Sequence, residues 1–286
     1  MNVLQTVNVK GPYNFDGILD RLSIDPLNEV NLAERTVRVP LIIEGEPNVA
    51  IVKGIGTTEN PKFIIEGSID DQTIKRLAHI LQWDVPLTDI HQHFLTTDLK
   101  EIFEQHMGTP LVLDFDPYRT LIKCIIHQQL NMSFAHTLTE RFVKQFGFEK
   151  EGVFFYPPPE TAANITEEEL REMQFSGRKA QYIIGIAKVI AEGQLDLDAL
   201  AEKSDDEVMS SLIKLRGVGP WTVQNFLMFG LGRKNLFPMA DIGIQNAIKK
   251  LYNLERKPTI EEMEQYKKAW EPYLSYASLY LWRSIE

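Results

Sequence analysis

The sequence predicts an α+β N-terminal domain, an antiparallel sheet with helices, followed by an all-helical body. Segments rich in β-branched residues and bounded by glycine and proline are concentrated in the first 90 residues. From Pro86 onward, apolar residues recur at spacings of three and four, which is typical of one face of a helix. The chain has 286 residues, 44% of them hydrophobic, enough for a large core and more than one domain. We therefore divide it into domains at 1–90 and 91–286.

The elements of the N-terminal domain follow from short sequence patterns. β-Branched and aromatic residues predict strands over 36–43, 49–52 and 63–65. Helical spacing of apolar residues predicts helices over 15–22 and 72–81. The strands are joined by short, turn-rich connections, so we expect a curved antiparallel sheet.

In the body, helical periodicity predicts helices over 98–107, 117–146, 180–192, 205–215, 222–231, 242–252 and 260–282. Pro272 is expected to break or restart the last of these, because proline lacks a backbone N–H and clashes with the preceding turn. No apolar run approaches the length that crosses a membrane, and the first residues lack the layout of a signal peptide. We therefore expect a cytoplasmic protein without membrane contact.

Charge and cysteine content exclude several classes of protein. The net charge of −10 argues against a strong non-specific nucleic-acid binder. Residues 208–256 differ from the whole, since seven basic and two acidic residues give them a net charge of +5. The single cysteine, Cys124, lies in an apolar run and is expected to be a buried thiol. One cysteine excludes a disulfide framework and a four-cysteine metal cluster within one chain.

Residues 212–241 are the most informative stretch. An apolar helical turn runs into Gly217-Val218-Gly219-Pro220, and a second apolar helix follows. Because glycine lacks a Cβ, the backbone there can turn sharply and lie close to a ligand. The first N–H groups of the second helix lack helical partners and favour an anion, so this hairpin, at about 208–231, could hold a phosphate. An ordinary helix–turn–helix corner is the alternative.

The pattern as a whole resembles the helix-hairpin-helix DNA glycosylases. The hairpin motif, Leu-x-Gly-Val-Gly-Pro-x-Thr, ends at Thr222, and a lone acid, Asp241, follows. Residues 115–131 and 175–180 resemble two further segments of that superfamily, and 276–282 resembles the ending of the 3-methyladenine DNA glycosylase II family. The resemblance runs from about residue 110 to the end. It implies a two-lobed helix-hairpin-helix body with a cleft for an extruded base.

The resemblance implies a catalytic role for Asp241. In this family the matching aspartate stabilises the sugar cation that forms as the base leaves, or acts on the attacking water. An aspartate before Ile242 is also an expected helix N-cap, and the two roles are compatible.

The resemblance also implies an aromatic pocket for the base. Trp221 and Trp282 match its walls, although both are also expected as ordinary core tryptophans. Trp221 lies where many superfamily members carry a nucleophilic lysine, so water attack is expected and strand cleavage is not. Asn225 lies where the family pattern carries a second aromatic residue, and this departure implies a more polar pocket floor.

DNA contacts are expected at two places. Backbone N–H groups near Gly217, Gly219 and Thr222 are expected to hold phosphate. Flipping a base leaves a hole in the duplex, which Gln129 or the adjacent Leu130 is expected to fill. The choice between these two is open, and a polar helix end is the alternative interpretation.

Backbone carbonyls of Ile213, Leu215 and Val218 match the family's ligands for a monovalent cation, Na⁺ or K⁺. No other cofactor is expected.

These features predict a monomeric, monofunctional DNA glycosylase of bacterial type that acts at the nucleoid. It is expected to release alkylated bases such as 3-methyladenine and 7-methylguanine from damaged double-stranded DNA. Two alternatives stay open: a glycosylase for deaminated or oxidised bases, and a non-catalytic protein that binds DNA damage through the hairpin.

Overall fold

Five antiparallel strands form a sheet in the order β1-β5-β4-β3-β2 in the computed structural model, which describes residues 3–285. The strands are β1 (Val3–Asn8), β2 (Glu29–Asn31), β3 (Thr36–Ile43), β4 (Glu46–Gly54) and β5 (Lys62–Gly67). In β3 the side chains of Val37, Val39 and Leu41 are buried, whereas Arg38 and Ile42 are exposed. This alternation places one face of the sheet on the core, as the period of a strand requires.

A two-residue turn joins β3 to β4. Glu44 and Gly45 both have positive φ, 51° and 82°, and Ile43 pairs with Glu46 on either side. Positive φ at both central residues matches the twist of the flanking strands and fixes their register. The predicted strands are confirmed; β1 and β2, at the two edges, were not predicted.

Fourteen helices lie within the described residues: α1 (Phe15–Leu22), α2 (Asp71–Leu81), α3 (Leu87–Phe94), α4 (Lys100–Gln105), α5 (Pro117–His127), α6 (Met132–Phe146), α7 (Pro159–Ala162), α8 (Glu167–Glu172), α9 (Gly177–Ala191), α10 (Asp205–Leu212), α11 (Pro220–Asn225), α12 (Ile242–Leu251), α13 (Ile260–Tyr266) and α14 (Leu274–Arg283). The two helices predicted for the N-terminal domain appear as α1 and α2. Of all fourteen, α3, α7 and α8 were not predicted.

Two long predicted helices are each divided. The helix expected over 117–146 is α5 and α6, with a turn at 128–131 between them. The helix expected over 260–282 ends at Tyr266, a 3₁₀ turn follows, and α14 begins beyond Pro272, as the proline predicts.

The helical body departs from the expected pattern in two further places. A short hairpin, β6 (Phe148–Lys150) and β7 (Val153–Phe155), packs on the outer face of the N-terminal sheet. After α11 the chain continues through a π-helical turn, Phe226–Gly230. π-Helical turns widen a helix locally and occur often at functional sites.

The buried side chains form two main cores that divide the chain into lobes. The first core joins residues 13–115 to residues 228–281, and the second lies within 121–227 apart from Leu27. We call residues 3–115 and 228–285 the first lobe, and 116–227 the second. The sequence boundary at residue 90 stays a prediction; the cores show which segments are buried together.

Candidate active site

Asp241 lies at the start of α12, where it is the N-cap that its sequence position predicts. Its Oδ1 accepts a hydrogen bond from the backbone N–H of Ile244 at 3.0 Å. The same oxygen accepts from Nε1 of Trp282 at 2.9 Å. Among the described residues no donor binds Oδ2. Two donors therefore fix the half-buried carboxylate through one oxygen and leave the other available.

Gly243 permits the contact between Trp282 and Asp241. A Cβ at position 243 would lie 2.9 Å from Cδ1 of Trp282 and 3.0 Å from Oδ1 of Asp241. Real Cβ contacts are longer than these, so any other residue would push the indole away from the carboxylate. Sequence reasoning missed this residue; a glycine two positions after the acid, inside a helix, was the available signal.

The indole has an aromatic neighbour, Phe229, that the sequence did not indicate. The ring of Phe229, in the π-helical turn, lies 6.0 Å from that of Trp282 at a tilt of 32°. The guanidinium of Arg21 lies 4.4 Å from the centre of the Phe229 ring, a cation–π geometry. NH1 of Arg283 donates to the carbonyl of Gly17 at 3.1 Å. Helix α1 is thus held against the segments that carry Phe229 and Trp282.

Trp221 and Asn225 lie one turn apart on α11. Both side chains are half-buried, and Nδ2 of Asn225 donates to the carbonyl of Trp221 at 2.8 Å. The asparagine amide is therefore turned back onto its own helix. Their placement in a base pocket with Asp241 stays a prediction.

The hairpin turn connects α10 to α11, and Gly217 is required at its centre. Its φ is +92°, and a Cβ there would lie 2.3 Å from the ring of Tyr182. Both the left-handed backbone and the ring exclude other residues. Gly219, the N-cap of α11, differs, because no atom lies within 4 Å of a Cβ built on it. The space over Gly219 is open, whereas that over Gly217 is filled by the protein.

Gln128 ties the hairpin to the end of α5. Its Nε2 donates to the carbonyl of Gly217 at 2.9 Å and to Oγ1 of Thr222 at 2.8 Å. The Thr222 side chain is buried and thus engaged within the protein. Only backbone groups of this residue remain for a phosphate.

The two candidates for insertion into DNA lie in the next two positions. Gln129 is exposed and has a φ of +58°, which is uncommon for a residue with a side chain. Leu130 is half-buried. We call residues 128–131 the insertion turn. The structure places it against the hairpin, so the two regions that the sequence suggested for DNA contact lie together.

The carbonyls named for a cation lie in the same turn. That of Leu215 accepts a hydrogen bond from the backbone N–H of Val218 at 3.1 Å, and Ile213 follows directly on α10. Within residues 3–285 no group of three or more His, Cys, Asp or Glu side chains is arranged to hold a metal ion. Any ion at the hairpin would depend on carbonyls.

A buried charge network joins the two lobes. Asp25 Oδ2 lies 3.2 Å from NH2 of Arg119 and 3.2 Å from Nζ of Lys123, which also lies 3.1 Å from Oδ1 of Asp114. Burial would raise the pKa of Asp25, but the two cations outweigh it and hold that pKa well below its ordinary value. The paired charges fix α5 of the second lobe against the first.

A cavity lies elsewhere, at the N-terminal end of α5. It has a volume of about 860 Å³ and lies between the β3–β4 turn, α2 and residues 154–159. None of the predicted site residues lines it. The candidate site is therefore the region around Asp241 and the hairpin, not this cavity. No helix of residues 3–285 is long and apolar enough to cross a membrane.

Comparison with known proteins agrees with this geometry. A family described as "HhH-GPD superfamily base excision DNA repair protein" matches residues 122–272, more than half of the chain. The chain belongs to this superfamily.

Within the HhH-GPD superfamily, this chain is similar to named glycosylases. A Bacillus subtilis relative named "Putative DNA-3-methyladenine glycosylase YfjP" is 54% identical over 284 residues, covering 99% of both chains. A B. subtilis DNA-3-methyladenine glycosylase is 34% identical over 214 residues, 68% of this chain and 71% of the relative. The protein is thus a member of the 3-methyladenine glycosylase family, a DNA N-glycosylase of base excision repair.

The fold agrees with that of a solved structure. The 3-methyladenine DNA-glycosylase from Archaeoglobus fulgidus superposes with a TM-score of 0.85, covering 97% of each chain at 22% identity. The predicted architecture, a sheet-bearing N-terminal domain followed by a helix-hairpin-helix body, is confirmed.

Proposed function

We propose that this protein excises alkylated bases of the 3-methyladenine and 7-methylguanine type from double-stranded DNA. It would flip the base out of the duplex and hydrolyse the N-glycosidic bond. The observation that carries the proposal is the Asp241 carboxylate, held through Oδ1 by Ile244 and Trp282. Its second oxygen is available to a substrate, and an aromatic wall lies beside it.

Asp241 would act on the sugar. As the base departs, positive charge develops on the sugar ring, and a fixed anion nearby stabilises it without having to reorient. Because both protein donors bind Oδ1, we assign contact with the sugar or the attacking water to Oδ2. The indole N–H fixes the orientation of the carboxylate.

The aromatic residues favour a cationic base. Trp282 is held at the carboxylate, and Trp221 provides a second indole on α11. Alkylated purines of this type carry positive charge, so attraction to an indole face adds to stacking. Such a base is already a good leaving group and needs little help from a general acid.

The hairpin would hold the DNA backbone. Backbone N–H groups near Gly217, Gly219 and Thr222 are proposed to bind a phosphate, supported by the open space over Gly219. Lys214 and Arg216 are exposed beside the turn. Because backbone N–H groups would bind the phosphate and few lysines are needed, few counterions would be released, and we expect affinity to fall only modestly with salt.

A monovalent cation at the carbonyls of Ile213, Leu215 and Val218 is proposed to fix the turn. Replacing K⁺ or Na⁺ by tetramethylammonium at constant ionic strength tests this directly. DNA affinity should fall if the ion is bound, and unchanged affinity would contradict the cation. We expect the protein to act as a monomer on chromosomal DNA in the cytoplasm.

Hydrolysis should leave an intact strand with an abasic site. An attacking lysine would form an imine with the sugar, which borohydride would trap as a covalent adduct. Trp221 occupies the position of the superfamily's nucleophilic lysine, so borohydride should give no adduct with damaged DNA. An adduct that disappears in a lysine variant would contradict hydrolysis and leave the glycosylase assignment intact.

Release of free bases tests the substrate class. Methylated duplex DNA is incubated with the protein, and the released bases are separated by chromatography, with Asp241→Asn as the control. Release of 3-methyladenine or 7-methylguanine is expected. If hypoxanthine or 8-oxoguanine is released from matched oligonucleotides instead, the alternative for deaminated or oxidised bases holds. Binding of damaged DNA without release of any base would favour the non-catalytic alternative.

A further inference from the structure

The insertion turn is held from two sides. On one side, the amide of Gln128 donates to the hairpin, as described above. On the other, Nζ of Lys179 on α9 donates to the carbonyl of Gln128 at 2.7 Å and to that of Ile125 at 2.9 Å. Lys179 thus connects a third helix to the point where α5 ends and the turn begins.

The ammonium of Lys179 is paired in an unusual way. Among the described residues no carboxylate lies within ion-pair distance of it, although its side chain is half-buried. Its partners are two carbonyls at the C-terminal end of α5, which lack helical donors and carry partial negative charge. Burial lowers the pKa of Lys179 to about 8.

The charge of Lys179 and the packing of its side chain make different contributions. Burying an ammonium away from water is unfavourable, whereas a methionine of similar length would fill the same space without that cost. What the ammonium adds is a fixed position for the last carbonyls of α5 and for the residue that follows them.

Gln129, the residue after Gln128, needs such support. Gln129 has a φ of +58° and no helix or strand to hold it. Backbone conformations of this kind persist where the surroundings determine them. Before it, Gln128 is fixed through both its side chain and its carbonyl. After it, Oδ1 of Asn131 accepts from the N–H of Phe134 at 2.9 Å and anchors the start of α6.

We infer that Lys179 is a positioning residue for base flipping: it fixes the insertion turn so that Gln129 and Leu130 enter the space the flipped base leaves. The inference rests on the proposed base-flipping function and adds a residue to it. Lys179 itself does not contact the base or the sugar in this role.

The test compares an alkylated base that is paired in the duplex with one that has no base opposite it. Single-turnover release of an alkylated base is measured in a fully paired duplex and in a duplex with an abasic spacer opposite the same base. Lys179→Met should slow release from the paired duplex about tenfold or more, since hole filling no longer supports flipping. With the spacer, the rate should stay within about threefold of the wild type.

Two variants serve as controls. Lys188 lies on the same helix, where it is exposed and paired with Glu192. Its replacement, Lys188→Met, should change neither rate. Lys179→Arg keeps a cation and should retain most of the activity. Equal loss on both substrates by Lys179→Met would show a general structural role and overturn the inference. Unchanged release from the paired duplex would overturn it as well.

A fluorescence measurement separates this inference from the proposed substrate. 2-Aminopurine brightens when it leaves the stack, so it reports flipping without any chemistry. If the wild type unstacks it but releases no alkylated base, the substrate assignment fails and the role of Lys179 is still tested. The Lys179→Met variant should then give a smaller signal, and an undiminished signal would contradict the positioning role. In a Gln129→Ala, Leu130→Ala background, Lys179→Met should add no further loss.

Discussion

The carboxylate region and the hairpin region of this glycosylase are built in opposite ways. Around Asp241, side chains from distant segments converge: Trp282 donates to it, Phe229 lies near the indole, and Arg21 lies over the Phe229 ring. At the hairpin, the groups proposed to bind DNA are mainly backbone, and the Gln128 side chain holds that backbone in place.

The difference indicates that the two regions serve different steps, catalysis and DNA binding. Chemistry on one sugar needs a single charge in a fixed position, which convergent side chains supply. Holding DNA of any sequence needs contacts to phosphate, which backbone N–H groups supply without reading bases. Changes in the first region should therefore affect the rate of base release, and changes in the second should affect binding.

Replacing the carboxylate should give the largest effect. Asp241→Asn removes the charge, and base release should fall by about 10²–10³-fold or more, as when one electrostatic group of an active site is lost. Asparagine caps helices as well as aspartate does, so folding should survive. Release is measured by chromatography and DNA affinity by fluorescence anisotropy. Unchanged release would contradict the catalytic assignment, and an equal loss of affinity would erase the contrast between the regions.

Gly217 and Gly219 provide a matched pair for the second region. Gly217→Ala forces a Cβ onto Tyr182 at 2.3 Å and should weaken binding to all DNA sequences by about tenfold or more. Gly219→Ala meets no protein atom within 4 Å, so it should leave the melting temperature unchanged. If phosphate lies over Gly219, this second variant still binds DNA more weakly. Loss confined to particular sequences would contradict phosphate binding.

Replacing Trp282 tests whether its N–H, which orients the Asp241 carboxylate, matters apart from the stacking of its ring. Trp282→Phe keeps an aromatic face but removes one of two donors to Oδ1, and kcat should fall about tenfold, corresponding to roughly 1.4 kcal/mol. Gly243→Ala should have a similar effect by displacing the indole. The two together should lose little more than either alone. Additive losses in single-turnover measurements would show that the glycine acts independently of Trp282.

Mild acid should weaken the second lobe by a smaller amount. Burial, with help from Lys123 and His136, lowers the pKa of His127 to about 3. Because the fold keeps this imidazole neutral, its contribution is complete above the unfolded pKa near 6.5 and is lost as pH falls towards 3. Between pH 7 and pH 5 the free energy of unfolding should drop by about 1–2 kcal/mol.

Denaturant melts of the wild type and of His127→Gln at both pH values measure this loss. The variant should lose most of the dependence. Asp25, whose pKa is lowered, stabilises the fold above the unfolded value near 3.9, so its contribution fades at lower pH and does not interfere. An equal pH dependence in the variant would assign the effect to another group.

Local patterns allowed much of the fold to be predicted. The spans of α1 and β3 were predicted to the residue, because amphipathic spacing and β-branched runs are properties of adjacent residues. Strand β1 was missed, because its side chains are largely exposed and its partner β5 lies about 60 residues away in the chain. Edge strands are defined by pairing, which local composition does not record.

The same distinction holds for the candidate site. The cap role of Asp241 was predicted because an acid before an apolar helix is a local signal, and its catalytic role was proposed because it is the lone acid that follows the hairpin motif. Arg21, Phe229 and Lys179 were missed, since each acquires its role through a contact with a residue distant in sequence.

The two-lobed core has a consequence for how the protein is made. The fully buried residues of the second core have all been synthesised by residue 227, but the first core must wait for α12 and α14 to join residues 13–115. Domains generally fold as units during synthesis, and contacts between distant segments form late. Trp282 follows Asp241 by 41 residues, so the donor that orients the carboxylate arrives after the hairpin is already built. The nascent chain should therefore form its proposed DNA-binding hairpin before its proposed catalytic carboxylate is oriented.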